Sequence, residues 1–252
     1  MLRLPVSGVS VRFRAVTGAQ ECEVWAARGD TSAATVARLL EGLCESDAAG
    51  EWSSLPVCDA DAALLAGRQR WVGDRIETTV RCPFDDCSEK ADVDFSIADY
   101  LQHRRPTMPR GVEHREGTFT CDGTAFRIPT LADEEAACAS SAPARTLGKR
   151  CIETTSPATV RKIERLMERI APSLVSELAL TCPGCGRTHS ATFDPRAFVV
   201  KELSDQAQFL WDDVHLLASQ YHWARDDILG LSRATRLQLA ERVRSDRLAG
   251  GG

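Results

Sequence analysis

Two short cysteine pairs constrain this chain more than any other feature: Val80-Arg-Cys82-Pro-Phe-Asp-Asp-Cys87 and Leu180-Thr-Cys182-Pro-Gly-Cys185-Gly. Each ends a strand-like run and opens a tight turn. A zinc ion takes four tetrahedral ligands, and two Cys pairs closed by short turns deliver four thiolates with little further chain entropy to lose. Cys82, Cys87, Cys182 and Cys185 are therefore read as one structural zinc site, with Zn2+ the expected cofactor. A Cys-Pro-x-Cys run also occurs in thiol-disulfide enzymes, where it sits at the N-terminus of a helix that lowers the thiol pKa. Here Cys185 is followed by Gly-Arg-Thr-His-Ser-Ala-Thr-Phe, which reads as turn and strand. His189 lies close enough to the second pair to stand in as fourth ligand if Cys87 does not serve.

The flanks of the two pairs also match. Glu77-Thr-Thr-Val-Arg-Cys82 aligns with Glu177-Leu-Ala-Leu-Thr-Cys182, and Phe95-Ser-Ile-Ala-Asp-Tyr100 with Phe193-Asp-Pro-Arg-Ala-Phe198. Upstream, Phe13-Arg14 and Thr17 to Glu21 align with Phe126-Arg127 and Thr130 to Glu134, in the same order. An internal repeat with a long period follows. The expected fold is α+β: two similar strand-helix lobes joined by a four-Cys, zinc-ribbon-like site, with a helical C-terminal extension.

Local patterns fill in this outline. Val9, Val11 and Phe13 alternate with polar residues as in a half-buried strand, and Thr17 is placed to cap a helix. A second helix starts near Thr31 or Ser32 with Val36, Leu39, Leu40 and Leu43 on one face, and a third covers about Asp59 to Val72, closing at Gly73. Strands around Ile76 to Val80 and Val93 to Ile97 flank the first Cys pair. Residues 103–120 are polar and rich in Pro and Gly, and read as a linker. A strand at Ala125 to Ile128 leads to a capping box, Thr130 with Asp133. Ala139 to Thr146 reads as a loop. Ser156-Pro157 starts a helix that buries Val160, Ile163, Met167 and Ile170 and stops at Pro172. Beyond the second pair, Leu203, Ala207, Leu210, Val214, Leu217 and Tyr221 form one apolar helical stripe. Ser232 caps an arginine-rich last helix, and Gly250 to Gly252 read as a frayed end. The expected division is a first lobe at 1–102, the linker at 103–120, a second lobe at 121–200 and the helical extension at 201–252.

Composition excludes several classes. A formal net charge of −5 gives no basic footprint for nucleic acid or anionic membranes. No apolar run approaches the ~20 residues of a membrane span, and the first residues lack the apolar core of a signal peptide, so the chain is expected to be cytoplasmic. The other six cysteines show no disulfide framework. His215 and His222 lie seven apart without a third ligand at metal spacing beyond Asp212. No metalloprotease, nucleophile-elbow, phosphate-loop or dinucleotide signature is present, which points away from an enzyme and from a small-molecule substrate. A zinc ribbon that binds nucleic acid is the alternative. Asp85, Asp86, Glu89, Asp92 and Asp94 around the first pair oppose it, since they would repel phosphates.

Both Cys pairs, the Gly73-to-Pro83 approach, Phe126-Arg-Ile-Pro-Thr130, Leu178-to-Gly186 and the helical Val214-to-Trp223 run followed by Asp226-Asp-Ile-Leu229 together resemble the T4-like phage baseplate family. The likeness, to the type labelled baseplate hub assembly chaperone, covers roughly residues 60 to 235. Members typically space both Cys pairs by two residues, and here the first pair is longer by two. The resemblance implies a nonenzymatic assembly factor or structural part of a contractile, phage-tail-like injection particle, incorporated into it or acting while it is built. Its implied partners are baseplate, spike or tube proteins. Phe209, Trp211, Tyr221 and Trp223 on the C-terminal helices are the expected partner-binding residues.

Overall fold

The computed structural model describes residues 1–47 and 51–250. In chain order the first half contains β1 (Leu2–Arg3), β2 (Ser10–Phe13), α1 (Gly18–Ala26), α2 (Ala33–Leu43), β3 (Cys44–Ser46), α3 (Val57–Trp71), β4 (Arg75–Arg81), β5 (Lys90–Ser96) and α4 (Ile97–His103). The second contains β6 (Glu113–Arg115), β7 (Thr118–Cys121), β8 (Thr124–Phe126), α5 (Leu131–Cys138), α6 (Pro143–Cys151), α7 (Pro157–Ile170), β9 (Ser176–Thr181) and β10 (Thr188–Phe193). Four helices close the chain: α8 (Pro195–Ala207), α9 (Leu210–Tyr221), α10 (Arg225–Gly230) and α11 (Arg233–Gly250). Helices dominate, and the sheets are small and antiparallel: β1-β2-β3, β4-β5, β6-β7-β8 and β9-β10.

The local signals act as their chemistry dictates. Thr17 N–H donates to Gln20 Oε1 at 2.7 Å, reaching back across the first turn of α1. At α5 the reciprocal pair is complete: Asp133 N–H donates to Thr130 Oγ1 at 3.3 Å and Thr130 N–H to Asp133 Oδ2 at 3.0 Å. Ser32 Oγ accepts from Thr35 N–H at 3.3 Å, and α2 buries Val36, Leu39, Leu40 and Leu43. Gly73, after α3, has φ +123°, in the region only glycine enters readily.

Several sequence expectations are corrected. The polar segment 103–120 is not featureless, because β6 and β7 form a hairpin within and just beyond it. Glu116-Gly117 turns that hairpin and Asp122-Gly123 the next, with positive φ at all four residues (47°, 81°, 47° and 74°), the signature of two-residue type I′ turns. The stretch read as a loop up to Thr146 already enters α6 at Pro143. The apolar stripe from Leu203 to Tyr221 belongs to two helices, broken at Gln208 and Phe209, although Leu203, Ala207, Leu210, Val214 and Leu217 are all buried. Ile97, assigned to a strand, opens α4 and is fully buried. The last helix runs to Gly250, and Gly251 and Gly252 of the expected frayed end lie outside the described residues.

The largest apolar cluster draws on both halves of the chain: Val24, Leu39, Leu64, Leu65, Ile76 and Ile97 pack with Leu174, Phe193, Val199 and Leu203. Buried ion pairs tie the helices around it. Arg68, 2% exposed, forks onto Glu202 at 2.5 and 2.7 Å and joins α3 to α8. Arg196 joins α8 to α3 and α5 through Asp61 at 2.5 Å and Glu134 at 2.9 Å. Glu21 in α1 receives Arg233 and Arg236 from α11, while Asp213 in α9 receives Arg236 and Arg244. A planar guanidinium suits such crossings because it presents several donors in a fixed fork.

Asp133, 1% exposed, sits under Arg127, Arg150 and Thr130. Burial alone would push its carboxyl up. The hydrogen bonds from Arg127, Thr130 and Arg150 outweigh burial and hold it well below the usual carboxylate range. A carboxyl depressed in the folded state stabilises fully above its unfolded pKa of about 3.9, and that stability drains away as pH falls below it. Asp133→Asn is expected to cost about 3 kcal/mol at neutral pH. Urea melts at a series of pH values should also show the variant losing less stability than the native chain between about pH 4 and pH 2.

Candidate metal centre

The two Cys-bearing hairpins are built alike. In the first, β4 and β5 pair from Arg75↔Ser96 to Arg81↔Lys90; in the second, β9 and β10 pair from Ser176↔Phe193 to Thr181↔Thr188. Past the last pair the first cysteine of each turn closes it with its own amide: Cys82 N–H donates to Glu89 O at 2.9 Å and Cys182 N–H to Arg187 O at 3.0 Å. Within the turns, Cys87 N–H donates to Phe84 O at 2.9 Å and Gly186 N–H to Cys182 O at 2.9 Å. The longer first turn therefore folds its two extra residues inside the same closing bond. Gly186 takes φ +70°, and each hairpin passes directly into a helix, α4 or α8.

Aromatic packing at the base aims the hairpins at each other. Phe95 of β5 and Phe193 of β10 meet edge-to-face at 5.1 Å, with Tyr100 on Phe193 at 5.3 Å and Phe198 on Phe193 at 5.7 Å. Tyr100 Oη hydrogen-bonds to the Leu174 carbonyl and lies 2.9 Å from Ser176 Oγ. Among the described residues no strand of one hairpin pairs with a strand of the other.

At the tips, one sulfur from each of Cys82, Cys87, Cys182 and Cys185 lies within 4.8 Å of all the others. Cys82 Sγ is 3.8 Å from Cys185 Sγ and Cys87 Sγ is 3.6 Å from Cys182 Sγ, so each close contact joins the two hairpins. A disulfide needs about 2.05 Å, and all ten cysteines are free. A tetrahedron of thiolates about 2.3 Å from a central ion has edges of about 3.8 Å, which these spacings match. The donor set, four soft sulfurs, suits a thiophilic ion such as zinc or iron. Cys82 and Cys182 are buried, and Cys87 and Cys185 half-buried.

The pieces around the thiols fit one another closely. A Cβ at Gly184 would stand 2.4 Å from Glu89 Cγ, so the second turn packs closely on the Glu89 side chain of the first. Arg187 spans both turns: its Nε donates to Cys185 Sγ at 3.4 Å, its Nη2 pairs with Asp86, and its guanidinium lies over the Phe84 ring at 3.9 Å. That hydrogen bond from Arg187 pulls the Cys185 thiol down to about 6, whereas burial pushes Cys82 up to about 12. Four thiolates around a divalent ion carry a formal excess of two negative charges, and Arg187 is placed to offset part of it. The sequence reading assigns Arg187 no role at the site. Its position two residues after Cys185 was the available signal.

His189 lies on β10 opposite Leu180 and edge-on to Phe84 at 6.3 Å, outside the four-sulfur group. Cys87 completes that group. His215 is exposed, and His222 ends α9 in the left-handed conformation, φ 57°. Of the residues expected to face partners, Phe209, Trp211 and Trp223 are exposed at 56%, 44% and 41%, and Tyr221 stacks on Trp223 at 5.0 Å. The structure does not bring all four into one patch. Trp211 and Tyr221 sit near opposite ends of α9, about 15 Å apart along its axis.

A mixed α/β body that carries four converging thiols on two hairpin tips defines a protein with a candidate structural metal site. The chain belongs to the family described as T4 bacteriophage base plate protein, whose model matches residues 1–153. The matched segment contains β4, β5 and the first Cys pair and stops before the second. It also reaches the N-terminus, beyond the resemblance read from residue 60 onward. No curated protein and no solved structure matches the chain. No helix among the described residues is long and apolar enough to cross a membrane.

Cobalt(II) titration of the reduced protein checks the ligand set. The native chain and His189→Gln are expected to give the same thiolate-to-cobalt charge-transfer band, and Cys87→Ser to weaken it and bind at least tenfold less tightly. Arg187→Met should keep the band with affinity lowered about tenfold or more.

Proposed function

We propose that this chain is a nonenzymatic structural or assembly component of the baseplate hub of a contractile, phage-tail-like particle, held in shape by one zinc ion bound to Cys82, Cys87, Cys182 and Cys185. The observation that carries this reading is the convergence of four sulfurs within 4.8 Å on a chain of the base plate family. In this reading the two related halves are lobes that share the metal. Each hairpin tip reaches beyond its aromatic base, and an isolated two-stranded hairpin is marginal in water. A structural zinc supplies an apparent ~10–16 kcal/mol and would lock both tips at once. The metal then acts on folding and leaves no open coordination position for catalysis.

The partner surface in this reading is the aromatic ends of α9, with Phe209 and Trp211 at one end and Tyr221 and Trp223 at the other. Aromatic residues of this kind dominate interfaces because they bury large area with few rotatable bonds. Baseplate, spike or tube proteins are the proposed partners, in the finished particle or during its assembly. A nucleic-acid role has less support, since Asp85, Asp86 and Glu89 sit on the first tip itself.

Metal analysis by mass spectrometry, on protein purified under reducing conditions, is expected to give one zinc per chain. In Cys182→Ser that zinc should be lost together with several degrees of Tm. A metal-free native chain with all four of these thiols freely titratable would overturn the zinc assignment. In pull-downs from a reconstituted particle, Trp211→Ala and Trp223→Ala should remain folded and each lose about tenfold or more in retention by its partner. Unchanged retention would remove α9 from the interface.

A further inference from the structure

A second site lies away from the thiols, where the N-terminal segment crosses α3 and α4. Its geometry begins with Asp59, which is fully buried in the first turn of α3 and accepts N–H bonds from Val6 at 3.0 Å and Ser7 at 2.7 Å. These bonds pin the segment before β2 against the helix. Between β1, α3, α4 and the loop at Pro172 to Leu174 an open cleft of about 340 Å³ remains. Leu2, Pro5, Ala62, Leu101, Pro172 and Leu174 make its walls apolar.

The rim is cationic. Arg3, Arg104 and Arg105 line the cleft, and no aspartate or glutamate does. Among the described residues none of the three enters an ion pair, in contrast to Arg68, Arg196, Arg233 and Arg236, each matched to a carboxylate. Arg104 Nε is moreover buried without a hydrogen-bond partner. An apolar floor and three guanidinium groups without a carboxylate partner together describe a receptor for an apolar group flanked by negative charge.

From this geometry we propose that the cleft docks a short acidic-apolar segment of another baseplate protein, with one or two aliphatic side chains on the floor and neighbouring carboxylates on Arg3, Arg104 and Arg105. The volume sits at the low end of ligand pockets, about 300–1,000 Å³, which suits side chains and not a long strand. No aromatic ring lines the cleft. Single-stranded nucleic acid is bound by stacking its bases on such rings, so the positive rim is matched better by carboxylates than by a phosphate chain. Arginine forks also recognise carboxylates bidentately, which gives the site orientation as well as charge.

The probes are three fluorescein-labelled nonapeptides measured by anisotropy on the full, reduced, folded chain. One carries a Leu-Leu core between Asp and Glu residues, one has those acids replaced by Asn and Gln, and one has the leucines replaced by Ser. The acidic-apolar peptide is expected to bind, and the other two to bind at least tenfold more weakly. Ala98→Trp, which plugs the exposed mouth, and the double variant Arg3→Glu with Arg105→Glu should each weaken binding tenfold or more with Tm unchanged. Equal binding of all three peptides, no binding at millimolar peptide, or binding that ignores both variants would overturn the proposal. So would variant-sensitive capture of phosphatidylglycerol vesicles or oligo-dT in place of the peptide.

Discussion

The edge-to-face contact of Phe95 and Phe193, 5.1 Å apart, is the junction on which the rest of the molecule depends. Phe193 ends β10 and Phe95 is the last residue but one of β5, so fixing one ring against the other fixes the direction in which both hairpins project. Tyr100 and Phe198, one from each following helix, close around the pair. Such contacts favour a defined angle, because the positive edge of one ring seeks the negative face of the next, and each adds about 0.5–1.5 kcal/mol beyond area burial. Four cysteines more than 90 residues apart in pairs then meet at the tips without any ladder between the hairpins. The apolar base sets the aim, and the four thiols converge where the hairpins end.

Much of this was legible in the sequence because it rests on local chemistry. The Cys spacing placed four sulfurs that the fold brings together, and the Thr17 and Thr130 caps, the α2 face and the start of α7 follow from single side chains or simple periods. What the sequence hid is of three kinds. Asp122-Gly123 is a strong hairpin signal, yet the strands it joins are only three and four residues long, too short for the alternation of Thr118-Phe-Thr-Cys121 to stand out, and only the second was read, as Ala125 to Ile128. The break between α8 and α9 leaves no mark on the apolar stripe, since Gln208 and Phe209 let both helices keep the same buried side. The buried ion pairs have no local signature at all. Arg68 and Glu202 stand 134 residues apart, and only the packed fold reveals that an arginine in a helical pattern is 2% exposed.

Those ion pairs explain how a helical tail joins a body whose main cluster is apolar. The tail has its own cluster, with Leu210, Val214, Leu217, Ile228, Ala240 and Val243. It is joined to α1 by close approach as well as charge: a Cβ at Gly18 would stand 3.0 Å from Leu229 Cα. Over that contact Glu21 receives two arginines from α11, and Arg236 of these also meets Asp213. A buried carboxylate between two guanidinium groups is strongly destabilised if either partner leaves, by about 3–5 kcal/mol. The pairs thus set where the tail docks more than how tightly, since apolar side chains of similar shape would hold it as well. A tail fixed in this way presents the exposed aromatic residues of α9 at constant positions.

The same logic limits what the family match can mean for the fold. Residues 1–153 carry the first hairpin, α4 and most of the arginine-rimmed cleft, but only two of the four sulfurs. Ile76 and Ile97, both fully buried, lie in the cluster that Leu174, Phe193, Val199 and Leu203 complete. A chain stopped at residue 153 would expose that surface and leave Cys82 and Cys87 as a two-coordinate remnant, too few for a tetrahedral ion. The matched segment is therefore part of a larger cooperative body. Its core and its candidate metal centre both close only when the second hairpin and α8 are folded onto it.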